Sequence, residues 1–496
     1  MKYKNTKLIS FLRTFSKEEL VDFEKFLSQQ YFRQRRDPLP LLKVLKEFHR
    51  DLSEDDLSEE KVFQKLFPGT SFSSQNSKNI FRSLSSYLLK ALEDFLYISK
   101  LRENKVLKNR ILLKEILERN LSKHYEQYLE KAYEVLMEDE KIYGFDILEK
   151  FHIERLNSRY YASVLDMRNY FNHSFKSLEL VSSHFWLDLI SSAKLMLLGY
   201  DNMNIRPESD ILNSLLNSVD MDKILKIYEG TEYYIYLYFN FNVYKCLENN
   251  RDLKYYEKAK EIFFDNKAKI SIHDKNYFYA DMISILLVGS GGRFVEMKKE
   301  LFFILKNCLA DKAYKLSDED FMHPNFYRNC ILCAEYIKEF DWADEFIEKY
   351  SGELNPEFRD NMKNYSSALI NYSRGDYDSS LEYISRIKYD HAFFKTDIKT
   401  LTLRIYYELN LHEQAIYMAD TFKHHIKISP HLNEDLRKAS LNYVSYYLKI
   451  FKLKMSEGKS RKKDAGLLRS QIKKEKDLIQ VGWLIEKLDQ IESSLK

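Results

Sequence analysis

The chain has 496 residues, 45% of them apolar and 31% charged, which excludes a disordered chain and leaves room for two to four domains. Net charge is only +3, so no bulk field draws the protein to nucleic acid or membrane. Twelve Gly and seven Pro are too few for the turns of a β-rich chain of this length, so the expected fold is all-α.

The opening M-K-Y-K-N-T-K-L-I-S-F-L-R is basic, but its apolar run is too short for an export signal. Ser16 and Glu19 form a capping-box pattern, and Leu20, Phe23, Phe26 and Leu27 follow on one helical face. Asp37-Pro38 is a second start signal, followed by Leu41, Leu42, Leu45 and Phe48. Leu66-Phe67-Pro68-Gly69 closes a third helix. A long helix is expected from near Ser77, with Ile80, Leu84, Leu88, Ala91 and Phe95 as its stripe. Residues 1–105 read as a helical N-terminal domain.

Residues 106–225 read as longer, charged helices. Their stripes are Leu112, Ile116 and Leu121, then Tyr128, Ala132 and Leu136, and a loop is expected over Asn202–Pro207. The run Y-Y-I-Y-L-Y-F-N-F-N-V-Y, residues 233–244, alternates like a strand. No neighbouring run offers a partner strand, so it is read as a buried helix. It is also the longest uncharged apolar run, and it falls short of the ~20 residues that span a bilayer. Cytoplasmic location without membrane contact is therefore expected.

Residues 226–450 read as helical repeats, with a periodic core over about 326–426. E-F-D-W-A-D-E-F-I-E-K-Y starts at Glu339, R-G-D-Y-D-S-S-L-E-Y-I-S at Arg374 and L-N-L-H-E-Q-A-I-Y-M-A-D at Leu409. The offset is 35 residues, and Phe346, Leu381 and Ile416 coincide. Each stretch follows one amphipathic helix and opens another. Helix pairs at about 34 residues are the spacing of tetratricopeptide repeats. Gly375–Leu381 resembles the turn and second-helix start of that family, and Pro356 resembles its closing proline. The family's Trp-Leu-Gly opening is absent. Segments around 233–265 and 275–308 read as more divergent pairs, so a TPR-like α-solenoid is expected.

In this register the C-x-x-C of Cys330 and Cys333 falls on a first helix, with Cys333 aligned to Ala368. A free Cys packs there as a small apolar residue, and two further zinc ligands at suitable spacing are missing. No metal, cofactor or redox role is expected. V-G-S-G-G-R, Val288–Arg293, lacks the sixth-place Gly and the Walker Lys of phosphate loops and reads as a turn. His424, His425 and His431 lack metal spacing and read as solvated loop residues. No catalytic set has a local signature, so no enzyme is expected.

The resemblance to tetratricopeptide stacks implies a groove lined by the first helices. Its candidate positions are Tyr327 and Ile337, then Met362, Tyr365, Leu369 and Tyr372, then Arg404 and Tyr407. Two readings stand for this apolar face: coverage by the chain's own helix, or a docking groove for a protein or helical peptide.

Residues 451–496 read as a basic segment and a final amphipathic helix. From Phe451 to Lys476, ten Lys and Arg face three acids, a local charge of +7. Arg461, Lys462, Lys463, Arg469, Lys473 and Lys474 form the candidate basic patch, read either as a solvated face or as a nucleic-acid contact. Arg33, Arg35 and Arg36 beside Tyr31 and Phe32 form a smaller cluster. Leu468, Ile472, Ile479, Trp483, Leu488 and Ile491 approximate the apolar face of the final helix.

The runs S-F-L-R-T-F-S-K-E-E-L-V-D-F-E-K-F-L, V-F-Q-K-L-F-P-G and G-W-L-I-E-K-L together resemble an uncharacterised family of long all-helical bacterial proteins. That resemblance implies no catalytic residue. The functional expectation is a cytoplasmic scaffold or adaptor that binds a protein, with a nucleic-acid-associated regulator as the alternative.

Overall fold

The computed structural model describes residues 3, 6–28, 37–48, 57–137, 147–203, 211–287, 294–317, 320–388, 395–429, 432, 434–456 and 461–493. Among these residues every regular element is a helix. The β-type contact found there is an isolated parallel bridge between Met322 and Leu354. The fold is all-α, as the scarcity of turn residues requires. The Arg33–Arg36 cluster, the Val288–Arg293 turn, residues 204–207 and His431 lie outside the described residues.

The chain divides into two compact units, residues 1–139 with 148–180 and residues 140–147 with 181–496. In the first, α1 (Lys7–Arg13), α2 (Lys17–Ser28), α3 (Leu39–Glu47), α4 (Glu59–Leu66) and α5 (Gln75–Glu103) enclose one core. Phe95 of α5 anchors it, with its ring 6.0 Å from Phe15, 5.2 Å from Phe23 and 5.5 Å from Phe26. The capping box forms reciprocally. The Ser16 amide donates to Glu19 at 2.7 Å, and the Glu19 amide donates to Ser16 Oγ at 3.1 Å. Asp37 accepts from the Leu39 amide at 2.9 Å, so α3 starts just past Pro38. Helix α5 starts at Gln75, two residues before the expected Ser77, because Ser74 Oγ caps it by accepting from the Ser77 amide at 3.1 Å.

A second core joins α6 (Lys105–Glu118), α7 (Ser122–Met137) and α8 (Ile147–Ser163). Here the expected stripe is corrected. Leu113 and Ile116 are buried, whereas Leu112 and Leu121 are exposed. Helix α6 stops at Glu118, and the left-handed Asn120 turns the chain, so Leu121 lies beyond the face that Ile116 belongs to. Helix α9 (Met167–Met203) then begins in the first unit and ends in the second.

The second unit continues with α10 (Ile211–Asn217), α11 (Met221–Tyr228), α12 (Tyr234–Glu248), α13 (Leu253–Asn266), α14 (Ile272–Leu287) and α15 (Phe294–Ala310). It goes on through α16 (Pro324–Ile337), α17 (Phe340–Tyr350), α18 (Pro356–Arg374), α19 (Tyr377–Ser385), α20 (Lys395–Glu408) and α21 (His412–Ile428). From α12 to α21 the helices form successive antiparallel pairs. Each second helix also packs on the first helix of the next pair, α13 on α14, α15 on α16, α17 on α18 and α19 on α20. This is a solenoid of helix pairs. The turn chemistry repeats too: Lys338, Gly375 and Asn410 all take left-handed φ after α16, α18 and α20. Glycine meets that requirement without strain only at Gly375.

The strand-like run of residues 233–244 is helical from Tyr234 on, within α12, and Tyr233 is the N-cap. Its alternation misleads because the helix is buried on nearly every side, Ile235, Tyr236, Leu237, Phe239, Phe241 and Val243 included. A helix buried all round carries no amphipathic period. Phe239 stacks on Phe278 of α14 with ring centres 3.9 Å apart. His424 and His425 lie on α21 rather than in a loop.

The chain closes with α22 (Glu434–Met455), α23 (Arg461–Lys474) and α24 (Val481–Ser493). The expected final helix is thus two helices, with Leu468 and Ile472 on α23, Trp483, Leu488 and Ile491 on α24, and Ile479 between them. Trp483 enters the aromatic core at the end of the solenoid, 5.2 Å from the Tyr407 ring and stacked on Tyr447 at 5.9 Å. Its indole Nε1 donates to the Tyr372 hydroxyl at 2.7 Å. Tyr443 lies in the same core, but its hydroxyl is buried without a hydrogen-bond partner among the described residues. Trp483→Ala is expected to cost about 3–5 kcal/mol. Tyr443→Phe is expected to be neutral or to gain up to ~1 kcal/mol, since it deletes only an unpaired buried hydroxyl. Denaturant unfolding of the two variants measures both values.

Candidate functional site

The positions assigned to a partner groove lie mostly inside the second unit. Tyr327, Met362, Tyr365, Leu369, Tyr372 and Tyr407 are buried, while Ile337 and Arg404 are half-buried. Polar side chains zip the first helices together across this face. The Arg328 guanidinium on α16 reaches past α18 to hold both oxygens of Asp397 on α20, one of them at 2.8 Å. Ser373 Oγ donates to Glu335 at 2.6 Å, and Arg404 lies 4.3 Å from the Tyr372 ring centre and 3.9 Å from Glu335. At the far end α24 covers the face. Lys487 pairs with Glu408 at 2.7 Å, and Tyr372 donates to the same carboxylate at 3.2 Å. Burial pulls the Lys487 ammonium down, but its bonds to Glu408 and Glu486 outweigh this and its pKa is raised.

All four cysteines are free and buried. Burial pushes the thiols of Cys246 and Cys333 up to about 11, and those of Cys308 and Cys330 are also raised. Such thiols stay protonated and unreactive at neutral pH. Cys333 donates to the Lys298 carbonyl of α15 at 3.1 Å, a packing contact between successive pairs. Among the described residues no group of three or more His, Cys, Asp or Glu is arranged to hold a metal ion. None of the described helices is long and apolar enough to cross a membrane.

The basic patch is divided in use. Arg469 pairs with Asp489 and Glu492 on α24, and Arg461 donates to the Lys454 carbonyl at 3.1 Å. Lys462, Lys463, Lys473 and Lys474 remain exposed on α23.

Three features carry no signal in local motifs. The first is a polar network in the first unit. Glu154, only 2% exposed, accepts from Tyr133 at 2.7 Å, His173 Nδ1 at 2.6 Å and Lys176 at 2.9 Å. Asn157 joins it through the hydroxyls of Tyr125 at 2.9 Å and Tyr133 at 2.8 Å. The second is an exposed apolar face, also in the first unit. Val164 and Leu165 lie in the turn after α8, and Met167, Phe171, Phe175 and Leu178 line α9 at i, i+4, i+8 and i+11. Leu165 is 82% exposed, Phe175 64% and Leu178 58%. Periodicity could have found this stripe, but periodicity alone does not say that the face is uncovered. The third is a cavity of about 320 Å³ in the second unit, bounded by α9, α12 and α14. At its edge Lys194 Nζ pairs with Asp281 and donates to Asn240 Oδ1 at 2.8 Å.

No family model matches the chain. No curated protein and no solved structure matches it either.

The Glu154 network makes the first unit sensitive to acid. Burial raises the carboxyl, but its bonds from His173, Lys176 and Tyr133 win, and the folded pKa is lowered. Its stabilisation is therefore complete above the unfolded value of about 4.3 and is lost as pH falls through the folded one. Glu154→Gln should cost ~1–3 kcal/mol at pH 7 and flatten the loss of stability below about pH 4.5. Unfolding curves of both proteins from pH 3 to 7 test this; parallel curves would place the acid sensitivity elsewhere.

Proposed function

We propose that this protein is a non-enzymatic cytoplasmic scaffold that holds a protein partner on a helical surface. The supporting observation is the exposed apolar face made by Val164, Leu165, Met167, Phe171, Phe175 and Leu178. Soluble proteins rarely leave so continuous an apolar patch open unless something binds there. The spacing suits an amphipathic helix of the partner, laid along α9 with its own apolar positions three and four residues apart. The solenoid is read as tetratricopeptide-like, on its 35-residue offset and its pair-on-pair stacking. Its inner face is occupied by the Arg328–Asp397 and Lys487–Glu408 pairs, so docking is assigned to the α8–α9 face and not to the inner positions.

A second reading, nucleic-acid binding through α23, rests on the exposed Lys462, Lys463, Lys473 and Lys474. It is the weaker one, because Arg461 and Arg469 are engaged within the chain. Four lysines on one short helix also give a small counterion-release effect.

The double variant Phe175→Asp, Leu178→Asp separates the readings. Both sites are exposed, so stability should change by no more than ~0.5 kcal/mol per site. Tagged wild-type protein should capture a discrete protein from host lysate after nuclease treatment, and the variant should lose it. Retention on the variant, or loss of all captured material on nuclease treatment, would overturn the scaffold reading.

A further inference from the structure

We propose that the cavity bounded by α9, α12 and α14 binds a small organic ammonium, a primary amine carried on an apolar or aromatic body. Its volume of about 320 Å³ is at the small end of the ~300–1,000 Å³ typical of ligand pockets. The walls are apolar: Leu187, Leu195 and Leu198 from α9, Tyr236 from α12, and Tyr277 and Phe278 from α14. Such walls favour a ligand with an apolar body and offer three aromatic faces to a cation.

The charges around it select the sign of that ligand. Asp188, Asp274 and Asp281 line the cavity against one ammonium, Lys194, with His184 the other titratable side chain besides the tyrosines. Lys194 is committed, paired with Asp281 and hydrogen-bonded to Asn240. Asp274 accepts from Tyr236 at 3.0 Å and from Ser271 at 2.9 Å. Asp188 is exposed and makes no ion pair among the described residues. An anionic ligand would meet three carboxylates and a lysine already neutralised. A neutral one would use the walls and gain nothing from the field. An ammonium gains from both, and Asp188 is placed to receive it at the rim.

Calorimetric titration of the full chain with 2-phenylethylammonium tests this, with phenylacetate and benzyl alcohol as anionic and neutral counterparts at equal ionic strength. The amine should bind about tenfold more tightly than either counterpart. Asp188→Asn should weaken it by about threefold to tenfold. Ala280→Trp, a substitution at an exposed wall position, should abolish binding by filling the space. Both variants alter exposed residues, and unchanged thermal unfolding would establish that they fold. Amine binding no tighter than benzyl alcohol, tighter binding of phenylacetate, or binding unaffected by both substitutions would each overturn the assignment.

Discussion

A pair of amphipathic helices has two apolar faces and can bury only one of them within itself. In the second unit the other face is buried against the next pair, and that need sets the order of α12 to α21. The same need persists at the last pair, where there is no further repeat. Helices α22 and α24 meet it, and Trp483 is the side chain that closes the stack, packed against Tyr407 and Tyr447. A buried tryptophan of this kind contributes as much as several ordinary contacts, because its area and its indole N–H are both satisfied. The end of the solenoid is thus a packing requirement met by aromatic residues, not a loose appendage.

That closure bears on where a partner can act. Inner faces of helical stacks serve as binding grooves when their side chains are left without mutual partners. Here Arg328 and Asp397 find each other across α18, and Glu408 is taken by Lys487 and Tyr372. Displacing these pairs would leave half-buried charges uncompensated, which is costly. The exposed face of Phe171, Phe175 and Leu178 asks for no such displacement. The difference in desolvation cost, more than any difference in shape, separates the two surfaces.

Much of the architecture was legible before the structure. Low Gly and Pro content, the capping pair Ser16–Glu19 and the 35-residue offset are local features, and local features survive in a single sequence. The exposure of Leu121 was missed because α6 ends two residues before the left-handed Asn120, a boundary with no Pro or Gly to mark it. The division of the last segment into α23 and α24 was lost for a related reason: the apolar spacing carries on through Ile479 although the helix does not. The groove was read as apolar from Met362, Leu369 and Tyr407, yet its character comes from Arg328, Asp397 and Glu408, whose pairings are distant in sequence: 69 positions separate Arg328 from Asp397 and 79 separate Glu408 from Lys487. Glu154 and Lys194 carry no local signal for the same reason, since their partners are decided by packing.

These buried polar contacts share a physical role. Against an apolar pair of the same shape a buried ion pair contributes little net stability. Its effect lies in what it forbids. A slip of α9 by one turn would part Lys194 from Asp281 and Asn240 and leave a nearly buried ammonium without a partner. A comparable slip of α20 along α18 would strand Arg328. Leucine faces tolerate such shifts, because one apolar contact replaces another at similar energy. Charged pairs do not, so a few of them are enough to hold long, repetitive helices in one register. The surfaces available to partners and ligands follow from that register.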